Sequence, residues 1–198
     1  MDNLLKQSQD RLKLFKRHGY DIPKARRFIL RKAGFAKGNI LEVGTGSGHM
    51  AIALARRGFR LVSIDLDRKA QKTANSGLKA LELDKLVTLK IMDAERLRFK
   101  DNAFDYVISV NVIHHAKSPA KCLKEMARVA KNKLVIADFN RKGERIAEKI
   151  HGMEGHTHPR SKLSLGAIAA LLRKFGMDVT KHNDSCQYVL IATKGETK

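Results

Sequence analysis

Apolar residues recur along this chain in two periods, and the alternation between them sets the order of elements. Leu4, Leu5, Leu12 and Phe15 fall at helical spacing, and Gly19 ends that stretch. Pro23 opens a second helix with Ala25, Phe28, Ile29 and Ala33 on one side, so two helices precede any sheet. Short apolar runs then alternate with amphipathic stretches: strand 39–43, helix 47–57, strand 60–65, helix 68–81, strand 86–92, strand 104–110, helix 119–131 and strand 133–138. Continuous apolar runs suit strands buried on both faces, so the rhythm predicts an α/β fold with a parallel sheet covered by helices. Ser118-Pro119 reads as the N-cap and first residue of the helix that carries Cys122, Leu123, Met126 and Ala130. Past Asp138 the pattern loosens into a helix over 142–150 and an irregular segment rich in His and Gly. Ser164 caps a helix over 165–175 that Gly176 stops. Residues 177–182 and 187–193, separated by Asn183-Asp184-Ser185, read as a hairpin.

Chemistry enters at Ile40-Leu41-Glu42-Val43-Gly44-Thr45-Gly46-Ser47-Gly48, where a buried strand, an acid and three alternating glycines open into a helix. Glycines let a ligand approach the backbone, and the unpaired N–H groups of a helix N-terminus favour polar or anionic atoms. Twenty-one residues past Gly44, Asp65 ends the next apolar run, where a carboxylate can accept hydrogen bonds from both hydroxyls of a ribose. A carboxylate at that position has few structural reasons to be there. A dinucleotide fingerprint needs Gly or Ala three residues after its second glycine, and here that position is His49.

The spacing Glu42-x-Gly44-x-Gly46-x-Gly48 instead resembles motif I of the class I S-adenosylmethionine-dependent methyltransferases, and the likeness runs from about Gly38 to Asp138. It implies a Rossmann-like, seven-stranded, mostly parallel sheet of order 3-2-1-4-5-7-6 with an antiparallel last strand and helices on both faces. A nicotinamide enzyme, or a glycine turn without a ligand, stays open as another reading of the turn. One domain is expected over residues 1–198: a helical cap at 1–37, a cofactor-binding core at 38–138, a substrate lid at 139–163, and a helix with hairpin at 164–198.

The resemblance also implies roles for individual residues. Gly44, Thr45, Gly46 and Gly48 would shape the turn around the methionine and ribose of the cofactor. Glu42 would support the turn and reach the ammonium, or else cap loop N–H groups as a structural carboxylate. Asp65 would hold the ribose and Leu66 the adenine face, with Asp67 as a helix N-cap. Asp93 would accept from the adenine amino group beside the N–H of Ala94, or cap a short turn. Asn111-Val112-Ile113-His114-His115 resembles the small-molecule branch, in which Asn111 and Val112 line the methionine end. It departs from the form with two prolines and an aromatic that methylates exocyclic amines. Should the acceptor be a hydroxyl or carbon acid, a histidine near neutrality can take its proton. Candidates are His115, for which packing is the alternative reading, and the group His151, His156 and His158. That group reads as a lid bearing a base (His156), as a polar loop, or with Glu154 as a zinc site. No cysteine joins it and methyl transfer needs no metal, so none is expected.

Composition narrows the partners. Two cysteines, Cys122 and Cys186, form no C-x-x-C motif, no stretch reaches the roughly 18 apolar residues of a membrane span, and Met1–Lys6 lacks a signal-peptide core. A soluble cytoplasmic protein is the expectation. The net charge of +20 concerns partners rather than fold. Residues 1–37 hold eleven Lys or Arg against three acids, which makes that end the most basic. A solvated charged surface, an anionic small-molecule acceptor, and nucleic acid all fit. The absence of Trp and the presence of only three Tyr weigh against the last. Arg26 and Arg27 are the pair suited to an anionic acceptor, although Phe28 and Ile29 beside them argue that both face solvent. An RNA-modifying methyltransferase and a non-catalytic cofactor-binding protein on the same fold remain as alternatives.

Overall fold

Strands β1 (Ile40–Val43), β2 (Leu61–Asp65), β3 (Val87–Ile91), β4 (Phe104–Val110), β5 (Ala130–Phe139), β6 (Met177–Asn183) and β7 (Gln187–Lys194) make one sheet ordered β3-β2-β1-β4-β5-β7-β6. The structure is a computed structural model, and it describes residues 3–155 and 163–195. The first five strands pair in parallel, and β7 runs antiparallel to both β5 and β6.

Successive residues of the central strands feed opposite faces, as a period of two requires. Leu41, Val43, Val107 and Ile136 join Leu123 and Met126 of α5 (Pro119–Val129) and Leu172 of α7 (Leu165–Lys174). Ile40, Ile108 and Val135 join the opposite layer, made by α2 (Ile22–Ala33), α3 (His49–Ala55) and α4 (Arg68–Ala80). A third, smaller cluster lies over the carboxyl ends of the strands. Phe15 of α1 (Asn3–Arg17), Tyr20, Ile22 and Ala25 pack there against Ile146 and Ile150 of α6 (Arg141–Met153). It roofs the crevice beside β1 and β4, where the strand order reverses and α/β sheets bind ligands.

The apolar runs locate the strands within two residues except at one junction. The sequence places a helix to 131 and a strand from 133, but α5 ends at Val129 and β5 begins at Ala130, which pairs with Phe104 across a register shift in β4. Sheet pairing captures residues whose local pattern still reads as helix. The helix expected at 47–57 shortens to His49–Ala55 because Gly48, at φ +82°, is its N-cap. Ser118 makes no side-chain cap; its N–H donates to Glu95 Oε1 at 2.8 Å, leaving Pro119 to set the first turn. The helix expected at 142–150 runs from Arg141 to Met153, because the Asn140 side chain caps it by accepting from the N–H groups of Lys142 and Gly143. Among the described residues, no helix is long and apolar enough to cross a membrane.

Candidate functional site

A cavity of about 1390 Å³ opens at the carboxyl ends of β1 and β4 beneath α1. Its floor is the glycine turn. The N–H groups of Gly44 and Thr45 both donate to Ile64 O at the end of β2, at 2.8 and 3.0 Å, which folds the chain back after β1. Gly44 sits at φ +89°, and a Cβ there would overlap Val112 Cγ2. A Cβ on Gly48 would come within 2.9 Å of that of Ala74, so this glycine lets α3 and α4 approach.

Asp65 has a structural task that its position in the sequence did not disclose. Its Oδ2 accepts from Gly46 N–H at 2.8 Å and its Oδ1 from Asp67 N–H at 3.0 Å, so the carboxylate pins the turn while lining the cavity. The Asp67 carboxylate accepts from Lys69 N–H and caps α4, as expected.

Glu42 is 2% exposed and lines the same cavity. Ser63 donates its hydroxyl to Glu42 Oε2 at 2.6 Å, which leaves Thr45 to donate to Ser63 at 2.7 Å and Gln71 Nε2 to donate to Thr45 at 3.2 Å. This relay of donors serves one acid, which also accepts from the backbone N–H of Ala51 in α3. Burial pushes the Glu42 carboxyl up to about 8, against the opposing pull of the Ser63 bond and the Arg26 charge. Glu42 is therefore mostly protonated at neutral pH when the cavity is empty.

Arg26 departs furthest from its expected place. It is 8% exposed, lines the cavity, and its Nη1 donates to Tyr20 Oη and Gln187 Oε1, both at 3.3 Å. Its Nε is buried with no hydrogen-bond partner among the described residues. Gln187 in turn donates to Asn111 Oδ1 at 2.7 Å, and Asn111 adopts φ +59°, a left-handed conformation uncommon outside glycine. Helical spacing held a signal for Arg26, which lies three and four residues before Ile29 and Leu30 on the buried stripe. Nothing local marked Tyr20 or Gln187. His49, where a dinucleotide fingerprint would need a small residue, lines the cavity instead; burial, then the Arg26 and Arg11 charges, lower its imidazole to about 4.

At the other end stand His114 and His115. His114 is 4% exposed, with Nδ1 2.7 Å from Oδ1 of the buried Asp138, a pairing that puts the imidazole proton on Nδ1. This dyad was missed in the sequence because its members are 24 residues apart, on the loop after β4 and at the end of β5. His115 lines the cavity with its ring 4.1 Å from that of His114. Desolvation, then His114, hold it down to about 4, so it is neutral throughout the physiological range. Overhead, Arg11 of α1 grips both Glu154 oxygens at 2.8 and 3.1 Å, and its Nη2 lies 2.9 Å from His151 Nε2. The expected cap and lid thus meet.

Of the residues singled out in the sequence, Glu42, Gly44, Thr45, Gly46, Asp65, Asn111, Val112 and His115 come together on the cavity wall. Gly48, Leu66, Asp93 and Ala94 do not. Leu66 is 64% exposed near the rim, and Asp93 accepts from Glu95 N–H at 2.8 Å, closing its own turn. His156 and His158 lie outside the described residues. Among the described residues no three His, Cys, Asp or Glu side chains are grouped to hold a metal.

The family model for a methyltransferase domain matches residues 41–136. The chain is 33% identical over 93 residues to norajmaline N-methyltransferase of Rauvolfia serpentina, covering 46% of this chain and 32% of that protein. It is 33% identical over 121 residues to the ubiquinone/menaquinone biosynthesis C-methyltransferase of Rickettsia prowazekii, covering 57% and 49%. The chain thus spans about a third to a half of the length of these relatives. The structure of magnesium protoporphyrin IX methyltransferase from Synechocystis PCC 6803 with bound S-adenosylhomocysteine superposes with a TM-score of 0.68. It has 19% identity and covers 88% of this chain and 82% of that one, which shows the shared fold. Glycine turn, sheet order and domain match agree: residues 41–136 match a methyltransferase domain, and the seven-stranded sheet has the fold of S-adenosylmethionine-dependent methyltransferases.

Proposed function

We propose that this protein transfers a methyl group from S-adenosylmethionine to a small-molecule acceptor. The observation that carries the proposal is one cavity lined by Asp65, Glu42 and Arg26, whose charges suit the three polar parts of that cofactor. Asp65 would take the ribose hydroxyls, Glu42 the ammonium, and the Arg26 guanidinium with its unpartnered Nε the α-carboxylate. Leu66 at the rim offers the adenine an apolar contact, with Asp93 and Ala94 after β3 for its polar edge, while Asn111 and Val112 line the methionine end. When bound, the cofactor supplies a methyl group activated by a sulfonium. The protein aligns the acceptor and excludes water beneath α1 and α6, which the Arg11 bridge to Glu154 holds together. His115 is the histidine placed to take a proton from a hydroxyl or carbon-acid acceptor, with His114 fixed behind it by Asp138. An imidazole held down to about 4 is a weak base, so this role requires the charge developing on the bound acceptor to raise it toward neutrality. Both cysteines are free and buried, which suits the cytoplasm as the working compartment.

Calorimetry with S-adenosylhomocysteine on Asp65→Ala tests the assignment. Two lost charge-assisted hydrogen bonds, at about 1.5–3 kcal/mol each, weaken binding by on the order of a hundredfold to ten-thousandfold. Affinity within threefold of wild type overturns it.

Glu42 adds a pH signature. An ammonium beside it favours the carboxylate, so binding near pH 7 expels the proton that the acid holds up to about pH 8. Titrations in buffers of different ionisation enthalpy should report close to one proton released, and Glu42→Gln should abolish it. The free protein shows the reverse trend. A raised carboxyl pKa means the native state retains a proton that the unfolded chain has lost, so stability declines as pH rises from about 4.5 to about 8. This acid alone removes about 2 kcal/mol between pH 6.5 and 8.5. A flat profile matching that of Glu42→Gln counts against the buried acid.

A further inference from the structure

Adjacent arginines of α2 face opposite ways: Arg26 enters the methyl-transfer cavity, whereas Arg27 lines a second depression of about 500 Å³ on the outer side. Arg31, one helical turn on, and Arg57, just past α3, line it together with Phe35 and Phe59. The two rings meet edge to face at 6.4 Å, and Phe35 also stacks on Tyr106 at 4.7 Å, so the floor is a braced aromatic surface. No carboxylate lines the depression, and none of the three arginines joins an ion pair among the described residues.

The surroundings extend the same sign. Residues 18–60 hold nine Lys or Arg against two acids. Both acids are occupied: Asp21 caps α2 and pairs with Lys16, and Glu42 is buried. Of the nine cations only Arg26 is buried, and Lys24, Arg56 and Arg60, close in sequence to the lining residues, are exposed. A charged surface could spread evenly for solubility, yet here three arginines share one depression whose lining holds no carboxylate.

We infer that the outer face of α2 and α3 is a docking surface for RNA, with phosphodiester groups on Arg27, Arg31 and Arg57 and a base over the Phe35 and Phe59 floor. Planar guanidinium forks match phosphate oxygens two at a time, and aromatic floors accept any base by stacking. A field wider than one phosphate suits a polymer better than a single anion. A membrane is the weaker fit, because among the described residues the exposed large apolar side chains, Leu66, Leu81, Ile91 and Met153, all lie on other elements. This face lies outside the methyl-transfer cavity, and the inference stands or falls independently of the acceptor.

The experiment measures fluorescence anisotropy with a labelled oligouridylate of about fifteen nucleotides from 50 to 300 mM salt. Wild type is compared with R27Q/R31Q/R57Q and with K121Q/K124Q/K174Q, which removes equal charge from α5 and α7 on the opposite layer. Each single-strand phosphate contact contributes about 0.7 to the slope of log affinity against log salt. The arginine variant should lose about two from that slope and on the order of a hundredfold in affinity at 0.1 M salt, while the lysine variant stays within about threefold. All three proteins should melt alike, since every substituted residue is exposed. Equal losses in both variants, or no binding by wild type at 0.1 M salt, overturn the inference. So does co-sedimentation with phosphatidylglycerol vesicles that outcompetes the oligonucleotide.

Discussion

Gly44→Ala should lower the melting temperature by about 5–15 °C and eliminate measurable binding of S-adenosylhomocysteine. Two separate costs combine. At φ +89° a side chain clashes with its own backbone, at about 1–2 kcal/mol. The new Cβ also overlaps Val112 Cγ2, and forcing an extra carbon into a packed site costs about 1–3 kcal/mol. At this chain length each kcal/mol moves the transition by roughly 2–4 °C. The loss of binding follows from the hydrogen bonds that pass through the turn. Gly44 N–H is held by Ile64 O and Gly46 N–H by Asp65, so a displaced turn disturbs the carboxylate proposed to hold the ribose. The double variant Gly44→Ala/Val112→Ala separates the costs, because shortening Val112 removes the overlap and leaves the dihedral strain. It should recover part of the stability and little of the binding. Should Gly44→Ala melt with wild type, the turn is not built as described.

Arg26→Met should weaken S-adenosylhomocysteine by on the order of a hundredfold or more while shifting the melting temperature little. Loss of the proposed bidentate charge-assisted pair with the α-carboxylate would account for the affinity at about 1.5–3 kcal/mol per hydrogen bond. Stability responds differently because two effects oppose. Methionine spares the native state a buried cation, but Tyr20 Oη and Gln187 Oε1 lose their donor. The Glu42 acid would also move: Arg26 is among the influences lowering it, so without that charge its proton is held to still higher pH. Proton release on binding should then shift in the same direction, a readout that a purely structural role would not produce. Arg27→Met is the control, since that side chain is exposed on the other side of α2 and should bind the cofactor product as wild type does. Equal weakening by both variants would refute the division of labour between these neighbours.

Legibility in the sequence followed the range of the interactions. Strands announced themselves because a parallel sheet buried on both faces needs uninterrupted apolar runs, and the glycine turn because only glycine tolerates its dihedrals and its contacts with Val112 and Ala74. Both are demands on residues near in sequence. Asp65 was legible as an acid at a strand end, but its two bonds to Gly46 and Asp67 were not, since they depend on how β1 and β2 are placed side by side.

By itself, then, the sequence determined the order of elements, the nature of the glycine turn and the acids beside it, because periodicity and steric tolerance are local. Only the tertiary structure decided which polar groups share a surface. Arg26 reaches Gln187 across 161 positions, Gln187 reaches Asn111 across 76, Arg11 reaches Glu154 across 143, and His114 meets Asp138 across 24. No pattern in the chain encodes those meetings. They follow from the crossing of the sheet at β1 and β4 and from the packing of α1, α2 and α6 above it, which is where burial sets the charge of Glu42 and the neutrality of His115.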